Sequence, residues 1–200
     1  MSASGDETRN RIQNRALNLF KERGYNNVTI DDICTSLEIT RGTFYYHFSN
    51  KENLFDLLYN EPFAFDINAM AKVFNTDNCW EKYMVLHERG FEWIVSTGHE
   101  FLSTLIRLAL EKKHKHFFPA MSRAYDEITA GIIDMGQEQN HFLAKGSPIT
   151  LSHIARDIVI GIMQDWCCSD GDFDIIESAK LALSTLFQVR EDMLEYGHRI

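Results

Sequence analysis

The chain is 200 residues long, carries a formal net charge of −9, and is 44% hydrophobic. That is enough apolar material for one or two packed domains, yet no run approaches the ~18–20 apolar residues of a membrane span. The N-terminus, Met1-Ser-Ala-Ser-Gly-Asp-Glu7, lacks an apolar signal region, and Cys34, Cys79, Cys167 and Cys168 show no disulfide or metal-ligand spacing. A reduced, cytoplasmic protein without cofactor or metal is the expectation.

In chain order, the first helix carries Arg9, Arg11 and Arg15 and ends at Phe20-Lys-Glu-Arg-Gly24-Tyr25, with Gly24 expected as a left-handed stop. Thr29 then opens a second helix. Asp32 stands at the capping-box position, and Val28 can staple onto Ile33. The same grammar returns at Thr40, where Ile39 can staple onto Phe44, and Ser49 with Glu52 marks a third start. Two short stapled helices in tandem make a helix-turn-helix, whose second helix is offered to the DNA major groove.

The second helix is unusual for a soluble surface. Phe44 and Phe48, four apart, can point into a core, which turns Arg41, Thr43, Tyr45, Tyr46 and His47 outward or to the flanks. An arginine at the helix start suits a guanine edge or a phosphate, and a tyrosine can touch a thymine methyl and hydrogen-bond with its tip. Gly42 leaves room for close backbone approach. Ordinary core packing explains the phenylalanines but not the tyrosines, because no amphipathic helix buries aromatics around its whole circumference.

These residues resemble the DNA-binding domain of the TetR family of one-component transcriptional regulators. Thr29, Ile30, Ile33, Gly42, Thr43, Phe44, Tyr45, Tyr46, His47, Phe48, Lys51 and Leu54 fall in register with that family's pattern over roughly residues 8–60. Glu38 departs from it, standing in the turn where the family usually has glycine; a left-handed non-glycine residue costs on the order of 1 kcal/mol. The resemblance implies DNA contact by Thr29, Thr40, Arg41, Gly42, Thr43, Tyr45, Tyr46, His47 and Lys51. It also implies an effector pocket in the remainder of the chain.

Charge fits this reading. Residues 1–59 hold seven Lys/Arg against eight Asp/Glu, and residues 60–200 hold thirteen against twenty-one. A small basic face on an acidic body should bind non-specific DNA weakly and depend steeply on salt.

Beyond residue 60 the pattern is helical, with helices expected near 62–74, 79–97, 99–114, 117–139, 150–168 and 174–196, and no convincing strand. The expected architecture is all-α: a three-helix DNA-binding domain over 1–60 and a bundle over 61–200. Stripes at Ile154, Ile158, Gly161 and Ile162, and at Ile176, Ala179, Leu183, Leu186 and Phe187, are read as a homodimer interface through 150–168 and 174–196. Plain intrachain core is the equal alternative. Trp80, His87, Phe91, Phe101, Leu105, Met121, Tyr125 and Trp166 are the candidate effector-binding residues. The acidic bundle and its aromatics favour an apolar effector, neutral or cationic.

His114 and His116 lack a third metal ligand nearby, and the scattered carboxylates lack a nucleophile or metal, so a solvated surface explains both. The expected function is a ligand-responsive regulator, most simply a repressor on a near-palindromic operator, and not an enzyme. The alternative is a helical small-molecule-binding protein or enzyme with a vestigial helix-turn-helix.

Overall fold

The structure, a computed structural model, describes residues 3–55, 67–112 and 123–194. Its elements are α1 (Ala3–Arg23), α2 (Ile30–Leu37), α3 (Arg41–His47), α4 (Ile67–Asn75), α5 (Cys79–Thr97), α6 (His99–Lys112), α7 (Arg123–Glu138), α8 (Pro148–Cys168), α9 (Ile175–Phe187) and α10 (Glu191–Leu194). Among the described residues there is no β-sheet, only one bridge between Phe142 and Val189. The protein is all-α.

Caps written in the sequence mark where five of these ten helices begin. The Thr29 hydroxyl accepts from the Asp32 N–H while Asp32 accepts from the Thr29 N–H, a complete capping box. Thr40 caps α3, Asn78 caps α5, Ser147 caps α8 with Pro148 in its first turn, and Asp174 caps α9. Glu38 does adopt the left-handed conformation, with φ 55°. Gly24 also stops its helix, but with φ 79° and ψ 144° it lies outside the expected left-handed well. That backbone is open in practice only to glycine.

Three expectations need correction. The long helix over 174–196 ends at Phe187, where Gln188 turns left-handed (φ 50°) and the Val189 N–H closes onto the Ser184 carbonyl. Leu143 and Ala144 then donate backbone N–H groups to Gln188 and Phe187, so the 139–147 loop occupies the line a continuing helix would need. Ser49 is not the third cap: Asn50 accepts from the Asn53 N–H, and a short 3₁₀ turn, Glu52–Phe55, follows. Finally, the α9 stripe faces inward. Ala179, Leu183 and Phe187 are each 0% exposed within a single protomer, so they belong to its own core. The expected kink at Pro62 and the His114–His116 pair lie outside the described residues.

One apolar cluster runs from Ile12 on α1 through Phe44, Tyr83 and Leu102 to Phe187. The junction of its two halves is built by α1 against the α5–α6 corner. The Phe20 and Phe101 rings lie 6.2 Å apart, and Lys21 Nζ donates to the Ser96 carbonyl at 3.3 Å. Gly136 admits the Phe142 ring so closely that a Cβ there would lie 2.3 Å from it.

Candidate nucleic-acid interface and ligand cavity

The first candidate surface is α3. Phe44 and Phe48 are buried side by side at 5.7 Å between ring centroids, anchoring one face of the helix. That leaves Tyr45 at 53% and Tyr46 at 85% exposure, values far outside what a core aromatic shows. His47 is half-buried, with its ring edge-on to Tyr46 at 4.9 Å. Thr40 and Thr43 share a hydroxyl contact at 3.0 Å at the start of the helix, and Thr29 is exposed at the start of α2. Gly42 is exposed, and a Cβ added there would meet only Thr40 Oγ1 at 3.5 Å, an ordinary contact. Nothing inside the protomer demands glycine at that position.

Arg41 is exposed and donates through Nε and Nη2 to the two oxygens of Asp31, one helix earlier. The hydrogen bond from Arg41 holds the Asp31 carboxyl below its ordinary range. Exposed pairs of this kind contribute little to stability, so the guanidinium can be exchanged to another acceptor at small cost.

Lys51, expected to contact DNA, is engaged within the protomer. Its ammonium donates to the backbone carbonyls of Tyr25 at 2.6 Å and Val28 at 2.8 Å, and sits 3.8 Å from the centre of the Tyr25 ring. Partial burial lowers its pKa. Those carbonyls lie in the turn between α1 and α2, where Tyr25 O also accepts from the Val28 N–H at 3.4 Å while Val28 O has the ammonium as its donor. The position is a clamp that fixes α1 against the helix-turn-helix. Sequence spacing could not show this, since the carbonyls come from 23 and 26 residues upstream.

The second candidate surface is a cavity between α5, α7 and α8, enclosing roughly 620 Å³ of unfilled space with its open mouth included. Its walls are largely apolar: Phe91 and Ile94 from α5, Val159, Ile160 and Met163 from α8. One wall is aromatic. His87 stacks on Tyr83 at 4.3 Å and meets the Tyr125 ring edge-on at 5.4 Å. His87 Nδ1 lies 2.7 Å from the Tyr83 carbonyl, which can only accept, so Nδ1 carries the hydrogen. Burial pushes the His87 pKa down to about 4, leaving the ring neutral near pH 7.

A polar group closes the other end. Asp126, 9% exposed, receives Arg156 Nη1 at 3.1 Å on both oxygens, and His153 Nε2 lies 3.3 Å from Oδ2. Ser152 and Thr129 complete that end, the Thr129 hydroxyl donating to the Tyr125 carbonyl at 2.8 Å.

Of the eight residues expected to bind an effector, His87, Phe91 and Tyr125 line this cavity. The others do not meet there. Trp80 stacks with Tyr83 at 6.2 Å in the neighbouring core, Phe101 packs towards α1, and Leu105 is wholly buried. Trp166 donates to the Phe173 carbonyl at 3.1 Å beside His99, and Met121 lies outside the described residues. Sequence reasoning missed Asp126, Ser152 and Arg156. Ser152 and Arg156, four apart on α8, interrupt its apolar stripe with polar groups on one face; that interruption was the available signal.

Residues 12–58 match the family model described as bacterial regulatory proteins, tetR family. The chain is 27% identical over 128 residues to the biofilm operon icaADBC HTH-type negative transcriptional regulator IcaR of Staphylococcus epidermidis, covering 60% of this chain and 66% of that protein. It is 24% identical over 137 residues to IcaR of Staphylococcus aureus, covering 68% and 66%. The matches thus span just under two thirds of those relatives' length. Among solved structures, a TetR-family transcriptional regulator from Pectobacterium atrosepticum superposes with a TM-score of 0.66 at 20% identity, over 94% of this chain and 97% of that one. Thermus thermophilus FadR, a TetR-family transcriptional repressor in complex with lauroyl-CoA, gives 0.63 at 20% identity over 92% and 96%. At those identities the structures establish the fold: a helix-turn-helix followed by a helical domain. With the helix-turn-helix motif in register and the matched model, residues 12–58 are a DNA-binding domain of the tetR family of bacterial regulatory proteins, on a chain that shares the fold of TetR-family structures.

Proposed function

We propose that the chain is a ligand-responsive transcriptional regulator that binds a near-palindromic double-stranded DNA operator as a homodimer. The observation that carries the reading is α3, a helix whose exposed face is Arg41, Tyr45 and Tyr46 while its other face is locked into a core by Phe44 and Phe48. In this reading residues 1–60 form the DNA-binding domain and 61–200 the effector-binding and dimerisation domain. Arg41, Tyr45, Tyr46 and His47 meet base edges or phosphates, Thr29, Thr40 and Thr43 meet the backbone, and Gly42 permits approach. Lys51 contributes by holding the motif together rather than by touching phosphate.

One reading helix covers too few base pairs for specificity, so two are needed about one DNA turn, ~34 Å, apart. The dimer forms through the outer faces of α8 and α9, where Ile154 is 41% and Leu181 is 70% exposed. Gly161 has open space where a Cβ would stand, which lets a second helix come close. Repression is the sense supported by relatives that are negative regulators or repressors.

The effector occupies the α5–α7–α8 cavity. A neighbour of the same fold holds lauroyl-CoA, a ligand with a long apolar chain, which supports an apolar body for the effector here. The effector lowers DNA affinity only by its preference for the non-binding arrangement of the dimer. Selection of binding sites from a random duplex pool, followed by mobility shifts across a salt series, tests the assignment. Recovery of a two-half-site sequence with a steep salt slope is expected; no enrichment over the starting pool would overturn it.

A further inference from the structure

Two groups in the cavity are left to meet a ligand. His87 Nδ1 is committed to the Tyr83 carbonyl, so Nε2 carries a lone pair, and among the described residues no donor reaches it. The Arg156 Nε–H, buried at the polar end, likewise has no hydrogen-bond partner. Asp126 and Arg156 offset one another in charge, although Arg156 Nε is left without a hydrogen bond. Both Asp126 oxygens are occupied by Arg156, with His153 alongside. A cation would have to displace that guanidinium, and an anion, though it could take the Arg156 Nε–H, would face both the Nε2 lone pair and the Asp126 carboxylate.

We infer that the effector is an uncharged apolar or aromatic molecule bearing a hydroxyl, which donates to His87 Nε2 while its body lies against Phe91, Ile94 and Met163. The inference rests on the cavity being the effector site and narrows the chemistry of that site from neutral-or-cationic to neutral with a donor. The neutral state of His87 near pH 7 agrees with an acceptor role. Selectivity should be sharp, because a site with a buried acceptor penalises a ligand that covers it without donating.

The full-length protein is titrated calorimetrically with four matched probes: para-hexylphenol, its methyl ether, para-hexylbenzoate and para-hexylbenzylammonium. The phenol should bind about tenfold or more tighter than its methyl ether, and the two charged probes no tighter than the ether. His87→Phe should bring phenol and ether to the same affinity, the phenol losing its acceptor and the ether no longer covering an unpaired one, and an unchanged cooperative melt reports that the variant is folded. Equal binding of phenol and ether to the native protein, tightest binding by benzoate or ammonium, or binding by none of the four would overturn the inference. Operator release is followed in parallel. Discrimination for the phenol with the operator still bound would support the site chemistry and count against the regulator reading alone.

Discussion

The two ends of the molecule use aromatic residues in opposite ways. On α3 two phenylalanines are buried so that two tyrosines can be held out in solvent. In the bundle Tyr83, His87, Phe91 and Tyr125 are turned inward around a space that no side chain fills. The first arrangement suits a large polyanion approached from outside; the second suits a small molecule taken inside. The contrast teaches that exposure, more than residue type, separates the two candidate surfaces.

The largest expected effect separates core from surface in the bundle. Leu183→Asp places a charge where the protomer leaves no exposure, and a lone buried charge costs several kcal/mol. Loss of the cooperative melt is expected. Leu181→Asp, on a residue 70% exposed, should leave the protomer's fold intact and shift light scattering from dimer to monomer. A folded dimer in the second variant would move the interface away from α9.

Next in its effect on stability is Lys51. Lys51→Ala removes two hydrogen bonds and leaves the Val28 carbonyl without its donor, while Tyr25 O keeps the Val28 N–H, for a loss of about 1–2 kcal/mol in denaturant unfolding. The salt slope of DNA binding should stay as it was. A slope reduced by about 1 with unchanged stability would restore the phosphate role.

Arg41→Ala and Tyr45→Ala should each cost ~1–3 kcal/mol on a selected operator and alter preference at particular bases, with melting unchanged. Unchanged operator affinity in both would remove α3 from the interface.

The smallest effect lies with His87 and is read by pH. Its folded pKa, about 4, is below the ordinary 6.5, so the unfolded chain binds the extra proton first. Stability contributed by the neutral ring is therefore complete above about pH 6.5 and declines as pH falls towards 4. His87→Phe should flatten that part of the stability profile. An identical profile in both proteins would mean that the ring is not desolvated.

Much of the DNA-facing half was legible because its signals are local. Thr29 with Asp32, Thr40 with Thr43 and Phe44 with Phe48 act within one or two turns, so spacing alone announces them. The cavity was legible only along α5, where His87 and Phe91 share a helical face. Its polar end joins Asp126 on α7 to Arg156 on α8, thirty residues apart, and no periodicity reports such a meeting. The inward turn of Leu183 escaped for a related reason. A stripe reveals that a face is apolar and not which partner, a neighbouring helix or a second copy, lies against it.

The grip of Lys21 on Ser96 has a quantitative consequence. Helix α5 lines the cavity with Tyr83, His87, Phe91 and Ile94 and ends where Lys21 of the DNA-binding half takes hold of it. Two ligands that pull on one strut cannot be tuned separately. In the regulator proposed here, whatever factor an effector removes from DNA affinity, bound DNA removes from effector affinity. A cell carrying more operator copies would then need a higher effector dose to reach the same half-response, so the protein's sensitivity is set partly by the genome it serves.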